Sequence, residues 1–238
     1  MRSKFTLLLL LCLSTALLAQ TTTGLGSWNI VSGQIRHNQH WASFAEAQLR
    51  SLQWYQQFHY FEIKGGATYH ARPDLALTAG MGTYQTYREG GDFILPTQQS
   101  EWRFWEQIAL KNNYGWLNLE HRYRVEQRLT AQQGLLHRFR YRIGLSYPIH
   151  GKIGTPGSHY VLAWDELFFT DLSPHYQRNR LCVGWGWELS RRWTLQSGFI
   201  YQHDYKIFDE TGRDFWFVSW MYQWDKRKNA PTLPQTVD

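Results

Sequence analysis

The sequence predicts an all-β fold, namely a closed antiparallel transmembrane β-barrel of 10 or 12 strands. Among the 238 residues, 17% are aromatic, 13 are tryptophan and only 18% are charged. Many segments alternate between apolar and polar residues with a period of two, which is typical of strands with two different faces. After residue 19, no apolar run approaches the ~18 residues that a membrane-spanning helix needs.

Composition excludes several other classes of protein. The aromatic content and modest charge exclude a disordered chain, and two cysteines are too few for a disulfide scaffold. A net charge of +6 could indicate a nucleic-acid-binding protein. However, the basic residues alternate with apolar ones instead of forming a patch, so we expect no nucleic acid among the partners.

Residues 1–19 have the pattern of a secretory signal peptide, with two basic residues, an apolar stretch and Ala19 before the cleavage point. An N-terminal membrane anchor is the alternative. The predicted organisation is a signal peptide at 1–19, an outer-membrane β-barrel at 20–224 and a polar C-terminal tail at 225–238. Export of such a barrel indicates the outer membrane of a Gram-negative bacterium.

Eleven segments are strand candidates. The weaker ones are Leu25–Ile35, Trp41–Arg50, Phe58–Tyr69, Leu75–Tyr87, Glu101–Lys111 and Tyr160–Phe169. The clearer ones are Leu117–Gln127, Leu135–Ser146, Leu181–Leu189, Trp193–Tyr205 and Phe215–Trp224. In Leu117–Gln127, for example, apolar and aromatic residues occupy one face, while asparagine, glutamate and arginine occupy the other.

Strand number and loop positions follow from the rules for bacterial outer-membrane barrels. These barrels have an even number of strands, so one candidate is expected to be wrong, and we place the error in the irregular Leu25–Arg50 region. With a periplasmic C-terminus, the predicted outer loops are Arg88–Gln99, Leu129–Gly134, Thr170–Gln177 and Lys206–Gly212. The linker Tyr147–Ser158 is longer than the tight periplasmic turn expected there.

A soluble β-sandwich or lipocalin-like barrel is the structural alternative, because alternation alone does not say which face meets water. The polar face is dense in arginine and glutamate, and a small soluble barrel has little room for rows of large aromatic side chains. Aromatic residues also concentrate near predicted strand ends, where they would reach the headgroups of a membrane. The pairs are Trp102 and Trp105, Trp185 and Trp187, and Trp220 and Trp224.

Five motifs follow one another along the chain: Glu101–Gln107 (EWRFWEQ), Glu120–Arg128 (EHRYRVEQR), Arg138–Arg142 (RFRYR), Asp165–Phe169 (DELFF) and Gln177–Leu181 (QRNRL), with Gly184 and Gly186 after them. With these motifs the chain resembles the domain-of-unknown-function 2490 family over nearly the whole mature chain. The resemblance implies an outer-membrane β-barrel of Gram-negative bacteria without an established activity. It therefore supplies no catalytic residue.

The polar faces of the predicted strands form a charge lattice in the lumen. Its predicted members are Glu101, Arg103, Glu120, Arg122, Arg124, Glu126, Arg128, Arg138, Arg140, Arg142, Glu166, Arg178 and Arg180. Arginine suits a narrow interior because its planar group binds carboxylates through two hydrogen bonds and stays charged. The lattice either fills the barrel or lines a narrow pore that selects a small anionic solute. Glu166, or Asp165 in a shifted register, is the expected partner of Arg178 and Arg180.

A membrane-embedded lipid hydrolase, of the lipase or deacylase type, is the alternative function. Such barrels place a histidine and a serine two apart on one lipid-facing strand, and only Ser173 and His175 come close, in a predicted loop. His37 and His40 have the spacing of a ligand pair and share a probable turn, where a solvated pair is favoured over a metal site, and no cofactor is expected. The expected partners are outer-membrane lipids, lipopolysaccharide and, through the C-terminal strand, the barrel assembly machinery.

Overall fold

The computed structural model of the protein describes residues 24–131, 133–205 and 211–226. These residues form a closed barrel of eleven strands. The strands are β1 (Gly26–Arg36), β2 (Trp41–Gln53), β3 (Gln56–Arg72), β4 (Leu75–Arg88), β5 (Ile94–Asn113), β6 (Asn118–Thr130), β7 (Gly134–His150), β8 (His159–Thr170), β9 (Tyr176–Glu188), β10 (Trp193–Asp204) and β11 (Thr211–Asp225). The predicted signal peptide, most of the predicted loop Lys206–Gly212 and the predicted tail after Lys226 lie outside the described residues.

The all-β fold and the closed barrel are confirmed, but the expectations of 10 or 12 strands and of purely antiparallel pairing were wrong. Every candidate segment is a strand, including both in the Leu25–Arg50 region. β1 pairs with β11 in parallel, from Gly26 opposite Phe215 to Arg36 opposite Asp225, whereas the other neighbours are antiparallel. An odd number of strands joined by hairpins requires this, because its first and last strands run in the same direction.

Two ends of the barrel can therefore be defined. The N-terminal end carries the start of β1 and the connections that follow even-numbered strands, and the C-terminal end carries the connections after odd-numbered strands and the end of β11. The predicted linker Tyr147–Ser158 is shorter than expected, since Tyr147–His150 belongs to β7. The rest of this linker folds back over the C-terminal end, where Ile153 is buried in an apolar cluster.

The alternation of the strands turns the apolar side chains outward and most charged side chains inward. Val31 and Val183 are both 58% exposed on the outside, whereas Glu166 and Arg142 are at most 1% exposed inside. Trp105 was expected beside Trp102 at a membrane interface, but it is buried in the lumen at 3% exposure. The two residues are three apart on β5, and an odd separation places side chains on opposite faces of a strand.

One side of the lumen is apolar, which differs from the charged interior that the sequence predicts. It consists of inward side chains from β1 and β8–β11, together with Ile153: Trp28, Ile30, Tyr160, Leu162, Trp164, Cys182, Ile200, Phe215, Phe217 and Met221. The signal was present in β8 and β11, where both faces carry large apolar residues. None of the described residues forms a helix long and apolar enough to span a bilayer.

Candidate functional site: the charged lumen

The structure places the predicted lattice residues inside the barrel. Twelve of them are at most 8% exposed: Glu101, Arg103, Glu120, Arg122, Arg124, Glu126, Arg128, Arg138, Arg140, Arg142, Glu166 and Arg180. Arg178, the thirteenth, has a side chain that is 24% exposed near the N-terminal end. These residues lie on β5–β9, and their neighbouring registers bring acidic and basic groups together.

Two fully buried carboxylates organise the middle of the lumen. Glu166 accepts hydrogen bonds from Arg122 Nη2 at 2.6 Å and from Arg140 Nε and Nη2 at 3.0 and 2.9 Å. Glu126 accepts from Arg140 Nη1 at 2.7 Å and from Arg138 Nε at 2.8 Å. Since Arg140 bridges the two carboxylates, β6, β7 and β8 share one ionic network across their inner faces.

Glu166 was expected to balance Arg178 and Arg180, but its hydrogen bonds come from other arginines. Glu166, rather than Asp165, points inward and lies opposite Arg180 in the sheet. It accepts hydrogen bonds from Arg122 and Arg140. Arg178 Nε instead donates to Asp204 Oδ1, and Arg180 Nε donates to Gln202 Oε1 at 2.9 Å. Both acceptors are on β10, a strand that contributed nothing to the predicted lattice.

Smaller groups of charges lie on either side of this middle network. Towards the N-terminal end, Glu101 accepts from Arg128 Nε at 2.7 Å and from Arg103. Towards the C-terminal end, Glu120 contacts Arg142 at 3.2 Å and Lys111 at 3.3 Å. Charged groups therefore extend along most of the barrel axis.

Sequence reasoning missed the inward residues of β1–β3. Arg50 lies 3.5 Å from the ring centre of Trp28 and 4.1 Å from that of Tyr60. Lys64 contacts Glu62 at 2.9 Å and Glu46 at 2.8 Å. The available signal was the spacing of two between charged or amide residues in β2 and β3, which is the same spacing that revealed the lattice on β6 and β7.

A cavity of 590 Å³, here called the vestibule, lies at the N-terminal end. Its lining includes nine cationic side chains and four carboxylates: Arg50, Lys64, Arg103, Arg128, Arg138, Arg140, Arg178, Arg180 and Arg213 against Glu62, Glu89, Glu101 and Asp204. A smaller cavity of 150 Å³ lies towards the C-terminal end and is lined in part by Trp105, Arg122 and Arg124. The Glu126–Arg140–Glu166 network lies between the two cavities.

The histidines considered for catalysis or metal binding have other contacts. His175 Nδ1 lies 3.1 Å from the backbone oxygen of Thr170 rather than near Ser173 Oγ. His37 Nε2, however, lies 2.8 Å from Ser43 Oγ on the outer face of β2. Among the described residues, no group of three or more His, Cys, Asp or Glu side chains is arranged to hold a metal ion.

Outside the strands, a histidine lowers the pKa of one carboxyl group. Asp171, in the connection between β8 and β9, accepts hydrogen bonds from the backbone nitrogen and Nδ1 of His137, the latter at 3.0 Å. These bonds stabilise the ionised carboxylate and lower the pKa of Asp171 below its usual value. The contact holds this connection against the start of β7.

Comparison with known proteins yields one match. No curated protein and no solved structure matches the chain significantly. Residues 25–211 match the family described as "Protein of unknown function (DUF2490)", a span that includes β1–β10 and the lattice residues named above. The chain therefore belongs to the DUF2490 family of proteins of unknown function.

Proposed function

We propose that the protein is an outer-membrane β-barrel of a Gram-negative bacterium whose filled lumen serves binding rather than conduction. The observation that carries the membrane location is the inverted distribution of side chains, apolar outside and charged inside. Soluble proteins rarely expose continuous apolar patches larger than a few hundred Å². In a membrane, lipid would cover the outward valine, leucine and aromatic side chains of β1–β11, so that these side chains would not be exposed to water.

A belt of aromatic residues supports the same location. Around the C-terminal end, outward rings lie near the ends of neighbouring strands, and several contact each other: Trp41 with Tyr69 at 5.0 Å, Trp193 with Tyr222 at 5.0 Å, and Trp116 with Tyr147 at 6.3 Å. Tryptophan and tyrosine favour the headgroup region, where one edge of the ring is apolar and the other is hydrated. The belt would thus mark one membrane surface.

The topology of the proposal follows from a periplasmic C-terminus. The C-terminal end then faces the periplasm, and the vestibule opens to the outside of the cell. Residues 1–19 would direct export, β11 would be recognised by the barrel assembly machinery, and lipopolysaccharide would contact the outer leaflet side of the barrel.

The filled middle of the lumen argues against a pore. Glu126, Glu166 and their arginines are at most 8% exposed, so water has little access to them. Moving these groups aside would separate buried opposite charges, at a cost of several kcal/mol. We therefore expect the barrel to hold a ligand in the vestibule without passing it through the lumen.

Single-channel recording tests this proposal. Refolded protein that shows the heat-modifiable migration of a membrane barrel should insert into a planar bilayer and give no conductance steps. A porin in the same bilayer provides the control for insertion and recording. Steady steps with anion preference would instead make the lattice the lining of a pore, and failure of folded protein to insert would contradict the membrane location.

A second candidate function, lipid hydrolysis, has one observation in its favour. The Ser43–His37 pair lies on the outer face near the C-terminal end, within hydrogen-bond distance of 2.8 Å, as a serine nucleophile and its base require. Among the described residues, no carboxylate is hydrogen-bonded to the His37 ring. Release of fatty acid from phospholipid by refolded protein, abolished by Ser43→Ala and retained by Ser32→Ala, would establish this function.

A further inference from the structure

The floor of the vestibule contains two arginines that flank one indole ring. Arg50 lies 3.5 Å from the ring centre of Trp28, and Arg180 lies 4.9 Å from it. Arg180 also lies 4.8 Å from the ring centre of Phe168. Aromatic faces attract guanidinium groups and restrict their motion, so both arginines are held in place by packing.

The hydrogen bonds of these two arginines differ from those of the deeper lattice. Gln48 Oε1 accepts from Arg50 Nη2 at 2.9 Å, and Gln202 Oε1 accepts from Arg180 Nε at 2.9 Å. In the described part of the chain, the bond to Gln202 is the one hydrogen bond of the Arg180 guanidinium group. Amide oxygens orient a guanidinium but do not neutralise it, whereas carboxylates do both.

The carboxylates near Arg50 and Arg180 are shared with other cationic or hydrogen-bonding groups. Asp204 is engaged by Arg178 and by Gln202 Nε2, the latter at 2.6 Å. Arg50 reaches Glu62 Oε2 only at 3.4 Å, and that oxygen also accepts from the Tyr60 hydroxyl at 2.5 Å. Arg50 and Arg180 are 7% and 5% exposed, and the nine cationic side chains of the vestibule lining outnumber its four carboxylates. An anion entering from solution would offset this excess of positive charge.

The rest of the vestibule favours a ligand that carries hydroxyl groups. Six glutamines and four tyrosines contribute to its lining, and their side chains both donate and accept hydrogen bonds. Its volume of 590 Å³ falls in the range of small-molecule sites. A bare inorganic anion is too small to contact more than a few of these side chains. A sugar-sized anion would contact many of them, including Gln177 Oε1, which is buried without a hydrogen-bond partner in the described part of the chain.

We propose that the vestibule binds a small hydroxyl-rich organic anion, such as a sugar phosphate or a sugar acid, whose anionic group lies against Arg50 and Arg180. The inference rests on the proposed binding function and names its ligand class. It does not depend on the membrane location, because the vestibule is formed by the barrel itself. Phosphate and carboxylate are both suited to the two guanidinium groups.

Isothermal titration calorimetry of the refolded full-length barrel in detergent tests the proposal, with glucose 6-phosphate, gluconate, inorganic phosphate and glucose as probes. We expect at least one of the two sugar anions to bind at least tenfold more tightly than either inorganic phosphate or glucose, and binding should weaken as salt is added. If inorganic phosphate binds as tightly as both sugar anions, the hydroxyl-rich ligand class is wrong. Equal binding of glucose, or no binding of any probe to folded protein, would overturn the site altogether.

Two substitutions locate the site, because they are expected to change the affinity for the sugar anion in opposite directions. Arg180→Gln should weaken binding of the sugar anion at least tenfold while the barrel still folds, because it removes a cationic group that donates to an amide oxygen and not to a carboxylate. Asp204→Asn should tighten binding, since it removes the competing negative charge beside Arg178. Arg72→Gln, an exposed change at the C-terminal end, is the matched control and should have no effect. Unchanged affinity in Arg180→Gln would contradict the assignment of the anionic group.

The single-channel recording and the calorimetry together separate the proposed function from this inference. The absence of conductance steps together with anion binding would support both. Conductance steps together with anion binding would overturn the filled lumen but leave the vestibule site in place. A silent trace without binding by folded protein would overturn the site alone.

Discussion

Glu166 shows that one buried carboxylate can neutralise several cationic side chains in the lumen. It is 0% exposed and neutralises charge on Arg122 and Arg140, which come from two different strands. A buried ion pair adds little compared with apolar packing, yet removing one partner leaves the others charged and unpaired. Individual residues of the network are therefore difficult to replace singly, although the network as a whole need not be strongly stabilising.

Glu166→Gln is expected to lower the free energy of unfolding by about 3 kcal/mol or more, because it leaves two buried guanidinium groups without full neutralisation. Reversible urea unfolding of the refolded barrel measures this quantity. Glu106→Gln, the same chemical change at an exposed position on β5, is the control and should cost much less. Equal effects of the two substitutions would show that Glu166 is not buried as described.

Arg124→Ala should be less damaging than Glu166→Gln. Arg124 donates to Gln107 Oε1 at 3.0 and 2.7 Å and lies 4.2 Å from the Trp105 ring centre, but its contact with Glu126 is 3.8 Å long. Glu126 keeps Arg138 and Arg140 when Arg124 is removed. We expect a loss of about 1–2 kcal/mol in the same unfolding assay, and no change in conductance. A shift in anion preference would indicate a pore.

At the scale of strands, the packing between β8 and β9 depends on glycine. A Cβ atom at Gly186 would lie 2.0 Å from Tyr160 Cζ, far inside the contact distance. The Tyr160 ring is 1% exposed, and its hydroxyl accepts a hydrogen bond from Gln196 Nε2 at 2.7 Å, so it has little freedom to move. Glycine at this position lets a large inward aromatic ring lie across the neighbouring strand.

Gly186→Ala is therefore expected to destabilise the barrel by about 1–3 kcal/mol, since the added methyl group must displace the Tyr160 ring. The midpoint of urea unfolding should fall accordingly. Gly33→Ala on β1 is the matched control, because a Cβ there meets no atom within 4 Å. If both substitutions were neutral, the close contact between β9 and the Tyr160 ring would be wrong.

At the scale of the whole molecule, the odd number of strands places the start of β1 and the end of β11 at opposite ends of the barrel. Gly26 begins β1 at one end, and Asp225 ends β11 at the other, because these strands are parallel neighbours. In an even-stranded barrel both would lie at the same end. In the proposed membrane, the first and last strands would thus begin and end on opposite surfaces.

Cysteine labelling tests this arrangement. In intact cells, a membrane-impermeant maleimide should label Leu25→Cys but not Lys226→Cys, and permeabilised cells should label both. The native Cys182 is 1% exposed within the barrel and should stay unlabelled, which provides the background control. Labelling of both engineered positions from the outside would support an even number of strands, and the reverse pattern would invert the proposed orientation.

The sequence by itself determined the fold class, the approximate position of every strand and the face that carries the arginine and glutamate side chains. These features are local, since a period of two reports which face a side chain occupies whatever strand lies beside it. The tertiary structure alone decided the closure between β1 and β11, the pairing of Glu166 with Arg122 and Arg140, the apolar sector around Trp28 and the glutamine-held arginines of the vestibule. These depend on which strands become neighbours and how far each side chain reaches across the lumen, and alternation along a single strand contains no information about either.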